Sequence, residues 1–144
     1  MGVAIVDGAA AFVQRLQDAV DKRDLDALER CFEADYRNET PAHPARGFVG
    51  RDQVRANWEL IFAGVPDIST EVLRKSVEGD VVWSEWEMRG TRPDGLPHLM
   101  RGVVIFGIRN DRAAWARFYL EPVDPAEVGA SAAVRHILGT ETPR

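Results

Sequence analysis

The order of the sequence patterns predicts an α+β fold, with helices first and a meander of strands after them. Three segments with helical spacing of apolar residues lie before residue 67, and strand-like segments follow up to residue 122. The links between those strands are short, which favours antiparallel pairing of neighbours. A chain of 144 residues is long enough for one domain with one core. We therefore predict a single domain that spans residues 1–144.

Apolar residues recur at helical spacing in the first part of the chain. In residues 9–23, Phe12, Leu16 and Val20 fall at i, i+4 and i+8, which predicts a helix with one buried face. Asp24 is suited to cap a second helix, since its side chain can accept a backbone N–H bond. A third helix is expected over residues 51–63, after the turn formed by residues 47–50.

Strand patterns occupy most of the remaining chain. A short strand is expected at residues 36–40, between the second and third helices. Four longer strands are predicted at residues 68–78, 81–92, 98–109 and 113–122. Residues that suit tight turns separate them, namely Gly79-Asp80, Pro93-Asp94-Gly95 and Asn110-Asp111. Residues 124–127 resemble a helix start, so a C-terminal helix is expected from about residue 124 to residue 138.

Composition excludes several classes of function. The net charge of −5 argues against a nucleic-acid partner held by phosphate neutralisation. No apolar stretch approaches the roughly 18 residues that a membrane span needs. The single cysteine, Cys31, excludes an internal disulfide and indicates a reducing, cytoplasmic location. His43, His98 and His136 lack metal-ligand spacing, so we expect neither a metal nor another cofactor.

Three predicted strands carry polar residues where buried strands would carry apolar ones. These segments are Tyr36-Arg37-Asn38, Ser84-Glu85-Trp86-Glu87 and the strand from Trp115 to Glu121. Because alternate residues of a strand share a face, Glu85 and Glu87 point away from Trp86 and Met88. Neither face is purely apolar, which suggests a sheet curved around a polar-lined pocket.

Five segments of this chain resemble the SnoaL-like branch of the nuclear-transport-factor-2-like superfamily. They are Asp24–Leu28, Phe32–Tyr36, Gly50–Val54, Phe62–Asp67 and Arg117–Pro122. The resemblance covers about residues 8–124. It implies a cone-shaped α+β fold with three N-terminal helices packed on a strongly curved, mostly antiparallel sheet, and a C-terminal helix beyond it. This fold hosts isomerases, cyclases, hydrolases, dehydratases and non-catalytic modules, so the site must decide among them.

The resemblance to limonene-epoxide-hydrolase-like enzymes rests on the first strand. Tyr36 and Asn38 match the Tyr-x-Asn pair that helps those enzymes to position a water. Glu87 matches one of their acids, whereas Glu85 stands where that family has Arg and Arg117 where it has a second Asp. An arginine stays protonated and is a poor general base, so this match implies altered chemistry.

Two other branches give different expectations. At the positions of the ketosteroid-isomerase base and oxyanion hole, this chain has Thr40, Leu16 and Val104, which supply neither a titratable base nor the hydrogen-bond donors. Polyketide cyclases of the SnoaL type shuttle a proton through an acid, and Glu87 or Glu121 is available for that role.

Glu87 is accordingly the predicted acid/base residue, with Tyr36, Asn38 and Arg117 assisting it. The predicted ligand-binding residues are Trp58, Glu85, Arg101, Tyr119 and Glu121. We expect Glu87, Arg101, Arg117 and Tyr119 to converge on one cavity with Tyr36 and Asn38. The alternative is a set of cross-strand ion pairs in which Glu85 and Glu87 neutralise Arg101 and Arg117.

The predicted ligand is a small apolar or oxygenated organic molecule. Either a cofactor-free enzyme of the cyclase, hydrolase or isomerase type or a non-catalytic ligand-binding or dimerisation domain fits the residues, and a partner-binding protein of the transport-factor type is a third possibility. Trp86, Met88 and Val82 are predicted to form an apolar outer sheet face. Such a face would pair two copies into a homodimer.

Overall fold

The computed structural model describes residues 8–140 and has the predicted α+β architecture. The helices are α1 (Gly8–Asp21), α2 (Leu25–Arg30), α3 (Arg51–Gly64) and α4 (Ala130–Leu138), with a 3₁₀ turn at Pro44–Arg46. The strands are β1 (Phe32–Glu39), β2 (Phe48–Val49), β3 (Ser69–Glu78), β4 (Val81–Thr91), β5 (Pro97–Arg109) and β6 (Arg112–Pro122). The predicted helices and long strands are therefore confirmed. Three of the helices precede the meander. No described helix is long and apolar enough to cross a membrane.

One curled sheet carries all six described strands in the order β2-β1-β6-β5-β4-β3. Strands β3 to β6 form the predicted antiparallel meander. β1 pairs in parallel with β6, and β2 pairs antiparallel with β1. The sequence did not predict β2, because it has two residues and lies in the segment expected to be a turn.

Two boundaries differ from the sequence prediction. β1 begins at Phe32, not at residue 36, because α2 ends at Arg30 after less than two turns. α4 begins at Ala130, not near residue 124. The side chain of Asp124 does accept a backbone bond, from the Ala126 N–H at 2.9 Å, but it closes a local turn and does not start a helix.

The helices are held by buried apolar contacts and by a polar cap. In α1, Phe12, Leu16 and Val20 are buried as predicted. The ring centroid of Phe12 lies 4.9 Å from that of Phe106 on β5. Burying each such side chain contributes about 1.5–3 kcal/mol. At α2, the carboxylate of Asp24 accepts the Ala27 N–H at 3.0 Å, which confirms the predicted cap.

The predicted outer face of Trp86, Met88 and Val82 is wrong, because these residues point into the core. Trp86 is only 1% exposed. Its indole N–H donates to Ser84 Oγ at 2.8 Å, and that hydroxyl donates to the Val104 carbonyl at 2.8 Å. Burial of these polar atoms therefore costs little, since each has a partner. Strand alternation then places the intervening acids on the opposite face, which we call the outer face.

Candidate functional site

A cavity of about 420 Å³ lies between the inner face of the sheet and α3. Apolar side chains from α3 and the strands form most of its wall, among them Phe32, Trp58, Ile61, Met88, Phe118 and Leu120. The volume is within the range of ligand pockets, roughly 300–1,000 Å³. The wall and the size together suit a small organic molecule.

Helix α3 supplies one side of this cavity. Val54, Trp58 and Ile61 lie at i, i+4 and i+7, so all three project from one face of the helix. The ring of Trp58 packs against that of Phe62, with centroids 5.5 Å apart. The predicted binding residue Trp58 therefore lines the cavity as part of an aromatic wall, while Leu60 of the same helix is exposed.

Strand β1 places a row of polar groups in the cavity. Tyr36, Asn38 and Thr40 are alternate residues and all line it. The Tyr36 hydroxyl donates to Asn38 Oδ1 at 2.7 Å, and the Asn38 amide approaches Thr40 Oγ1 at 3.5 Å. Burial raises the pKa of Tyr36 well above its usual range, so this phenol stays protonated. The Asn38 NH₂ and the Tyr36 oxygen lone pair remain as polar points for a ligand.

A charged rim lies at the more exposed end of the cavity. Glu121 near the end of β6 and Arg46 of the 3₁₀ turn both line the cavity, and so does His98 at the start of β5. The Glu121 carboxylate has its Oε1 3.0 Å from His43 Nε2 and its Oε2 3.9 Å from Arg46 Nη1. Among the residues that line the cavity in the described chain, Glu121 has the only carboxylate.

Glu87 does not reach this cavity. It lies between Trp86 and Met88 on β4 and points to the outer face, although it is only 8% exposed. Its carboxylate binds the Arg101 guanidinium at 2.8 Å and also pairs with Arg89. The hydrogen bond from Arg101 is the main reason that the pKa of Glu87 is lowered. The expected place of Glu87 in the cavity is therefore wrong.

The other outer-face candidates also form ion pairs or are exposed. Glu85 pairs with Arg74 at 2.8 Å, and Arg117 pairs with Glu39 at 3.4 Å. Arg101 is held by Glu87, and Tyr119 is exposed. The expected convergence of Arg101, Arg117 and Tyr119 on the cavity is thus also wrong. The physical reason is the strand alternation, which was assigned to the wrong side of the sheet.

Of the residues predicted for the site, the structure brings Tyr36, Asn38, Trp58 and Glu121 to one cavity. Sequence reasoning missed Arg46 and the apolar pair Phe118 and Leu120. The strand parity carried the signal for Phe118 and Leu120, since both alternate with Arg117 and Tyr119. No local sequence pattern indicated that Arg46 lines the cavity, because its position depends on how the loop between β1 and β2 packs against β6. Within the described residues, no group of three or more metal-binding side chains is present.

Comparison of the sequence with protein-family models identifies the family to which the chain belongs. The model for the SnoaL-like domain matches residues 13–116, most of the chain. The chain belongs to the SnoaL-like domain family. No curated protein matches the sequence significantly.

Solved structures show the same fold at low identity. IdmH from Streptomyces antibioticus, a candidate polyketide cyclase, is 20% identical, with 78% of this chain and 91% of that chain covered and a TM-score of 0.69. A candidate isomerase from Bacillus subtilis is 15% identical, with coverages of 94% and 95% and a TM-score of 0.71. RV0760c from Mycobacterium tuberculosis, solved with estradiol-17β-hemisuccinate, is 16% identical, with coverages of 78% and 92% and a TM-score of 0.67.

Proposed function

We propose that this SnoaL-like protein binds a small, largely apolar organic molecule that carries an oxygen function. The observation that carries the proposal is the cavity, whose wall is apolar except at a few fixed polar points. Such a wall contributes affinity by burying apolar surface, and the polar points orient the ligand. RV0760c holds a ligand of this general kind in a similar fold, which supports the proposal.

The oxygen function would lie at Tyr36 and Asn38. Because Tyr36 donates its proton to Asn38, its own oxygen can accept a bond from a ligand hydroxyl. The free N–H of the Asn38 amide can donate to a ligand carbonyl or hydroxyl. Both polar groups keep a partner when no ligand is bound, so the cavity does not need a ligand in order to fold.

If the protein is an enzyme, Glu121 is the residue best placed for acid/base work. It lines the cavity, whereas Glu87 points to the outer face. A carboxylate beside an apolar ligand can move one proton during a ring closure or an isomerisation. The alternative is a binder without catalysis, in which Glu121 only holds the β1–β2 loop through His43.

The binding proposal is tested by filling the cavity. Ile61 lines it, so Ile61→Trp should occupy part of the space that a ligand needs. The neutral fluorescent probe N-phenyl-1-naphthylamine is titrated into the wild type and the variant. We expect the affinity to fall by about tenfold or more, since about 1.4 kcal/mol of lost contact is enough for that.

Leu60→Trp is the matched control. It adds the same ring to the neighbouring residue, which is 75% exposed and does not line the cavity. This control should bind the probe like the wild type. Equal probe affinity in Ile61→Trp and Leu60→Trp would place the probe elsewhere and contradict the proposal.

The proposal includes a homodimer formed through the outer face. Trp83 is 50% exposed there, and Leu73 and Tyr119 are also large exposed side chains of β3 and β6. An apolar group of this kind on an otherwise charged sheet face favours association with another surface. Trp83, Leu73 and Tyr119 therefore take the place of Trp86 and Met88 in the predicted interface, since Trp86 and Met88 are buried in the core.

A further inference from the structure

We propose that the ligand carries an acidic group at its outer end, which Arg46 binds at the rim of the cavity. This inference rests on the proposed function and adds the chemical class of the ligand. The ligand would then be an amphiphile, with an apolar body in the cavity and a carboxylate, sulfate or similar anion at the rim.

The first argument is that no described protein group accepts a hydrogen bond from the Arg46 guanidinium, which is 61% exposed. Its side chain lines the cavity, and its closest ionic partner is Glu121, at 3.9 Å. That distance is too long for a hydrogen bond. Within residues 8–140 the guanidinium makes no hydrogen bond, and it carries five N–H donors in a planar fork. An anionic oxygen is the natural partner of such a fork.

The second argument is that the acid at the rim already has two basic side chains beside it. Glu121 has His43 at one carboxylate oxygen and Arg46 near the other. A cationic ligand would have to displace one of these groups and would meet the charge of Arg46. An anionic ligand can approach Arg46 and leave the contact between His43 and Glu121 in place. His98 adds a further nitrogen donor or acceptor to the cavity lining.

The third argument is that the loop backbone that carries Arg46 is already ordered before any ligand arrives. Pro44 begins the 3₁₀ turn, where its fixed φ suits the backbone. The Arg46 N–H donates to the His43 carbonyl at 2.9 Å, and the His43 N–H donates to the Thr40 carbonyl at 2.8 Å. A loop that is already ordered loses little entropy on binding, so more of the interaction energy appears as affinity.

Two probes that differ by one anionic group test this inference. They are N-phenyl-1-naphthylamine, which is neutral, and 8-anilinonaphthalene-1-sulfonate, which adds a sulfonate to the same rings. In Arg46→Gln we expect the affinity for the sulfonate probe to fall about tenfold, the scale of one charge-assisted hydrogen bond. Affinity for the neutral probe should stay within about twofold of the wild type.

Two further variants act as control and as opposite perturbation. Arg112 is exposed at the first residue of β6, whereas Glu121 is near its end, so Arg112→Gln should leave both affinities unchanged. Glu121→Gln removes a negative charge from the rim and should strengthen sulfonate binding by about threefold, the effect of an exposed charge. Thermal melting of each variant shows whether it folds.

The outcomes separate this inference from the proposed function. Suppose that the affinity for the neutral probe depends on Ile61 but that Arg46→Gln does not selectively lower the affinity for the sulfonate probe. The cavity then binds ligands, and the inference that the ligand carries an acidic group is wrong. An equal loss of sulfonate binding in Arg112→Gln would also overturn it, because any surface arginine would then suffice. If neither probe depends on Ile61, both the proposed function and this inference fail.

Discussion

The hydrogen bond between Tyr36 and Asn38 should be worth a measurable part of the folding free energy. The donor and acceptor are 2.7 Å apart, and Tyr36 is buried. Tyr36→Phe keeps the ring but removes the donor to Asn38 Oδ1, and because Asn38 is only half-buried in the cavity wall we expect a loss of about 0.5–1.5 kcal/mol. The other contact of Asn38, to Thr40, is long at 3.5 Å and compensates little.

A double-mutant cycle isolates this bond from the other effects of each change. Unfolding by urea is measured for the wild type, Tyr36→Phe, Asn38→Ala and the double variant. Once Asn38 is replaced, the Tyr36 hydroxyl has lost its acceptor, so Tyr36→Phe should then cost less than in the wild type. We expect a coupling of about 0.5–1.5 kcal/mol, the net value of one hydrogen bond. Additive single effects, within about 0.3 kcal/mol, would refute the interaction.

Alkaline pH gives an independent check of the same burial. The pKa of Tyr36 is raised in the folded protein, so the unfolded chain loses this proton first, near pH 10. The contribution of the protonated Tyr36 to the free energy of unfolding is complete below about pH 10. It is lost as the pH rises from there toward the higher folded pKa, by about 1.4 kcal/mol per pH unit. Tyr36→Phe should lack this part of the pH dependence. Parallel curves for the wild type and the variant would refute the burial argument.

The remaining predictions concern the outer face. Glu87→Gln should lower the melting temperature at neutral pH and leave probe binding in the cavity unchanged. Because Arg101 lowers the pKa of Glu87, this stabilisation is present above the ordinary carboxyl pKa and is lost as pH falls through the folded value. Melting curves that differ equally at acid and neutral pH would contradict the ion pair. For the dimer, sedimentation equilibrium should give twice the 16.0 kDa chain mass, and Trp83→Glu should give a monomer; a wild-type monomer would exclude it.

The meander could be predicted from the sequence because its signals are local. Gly79 and the pair Asn110 and Asp111 adopt positive φ angles at the hairpin turns, and such residues mark turns in any tertiary context. The strand bounds between these turns follow directly. β2 has no comparable signal, since two residues form a strand only because β1 lies beside them.

The side of the sheet could not be predicted from the sequence in the same way. On β4, the consecutive residues Trp86 and Glu87 point to opposite faces of the sheet. Alternation alone does not say which of these faces packs against the helices. The decision depends on α1 and α3, which cover one face and leave the other to solvent. Ser84 gave a partial indication that Trp86 is buried, because a small hydroxyl can accept the hydrogen bond of the Trp86 indole in a dry core.

The orientation of β4 also restricts the chemistry that this fold can support here. The match to the epoxide hydrolases placed Glu85 and Glu87 among catalytic groups, but both lie on the outer face and form ion pairs with Arg74 and Arg101. The middle of the cavity is then left with the neutral Tyr36 and the apolar wall, and the carboxylate lies at the rim. Proton transfer in this cavity would therefore occur near Glu121. If the protein is an enzyme, a ligand would react at the part of the molecule next to the rim, and its buried end would serve for recognition.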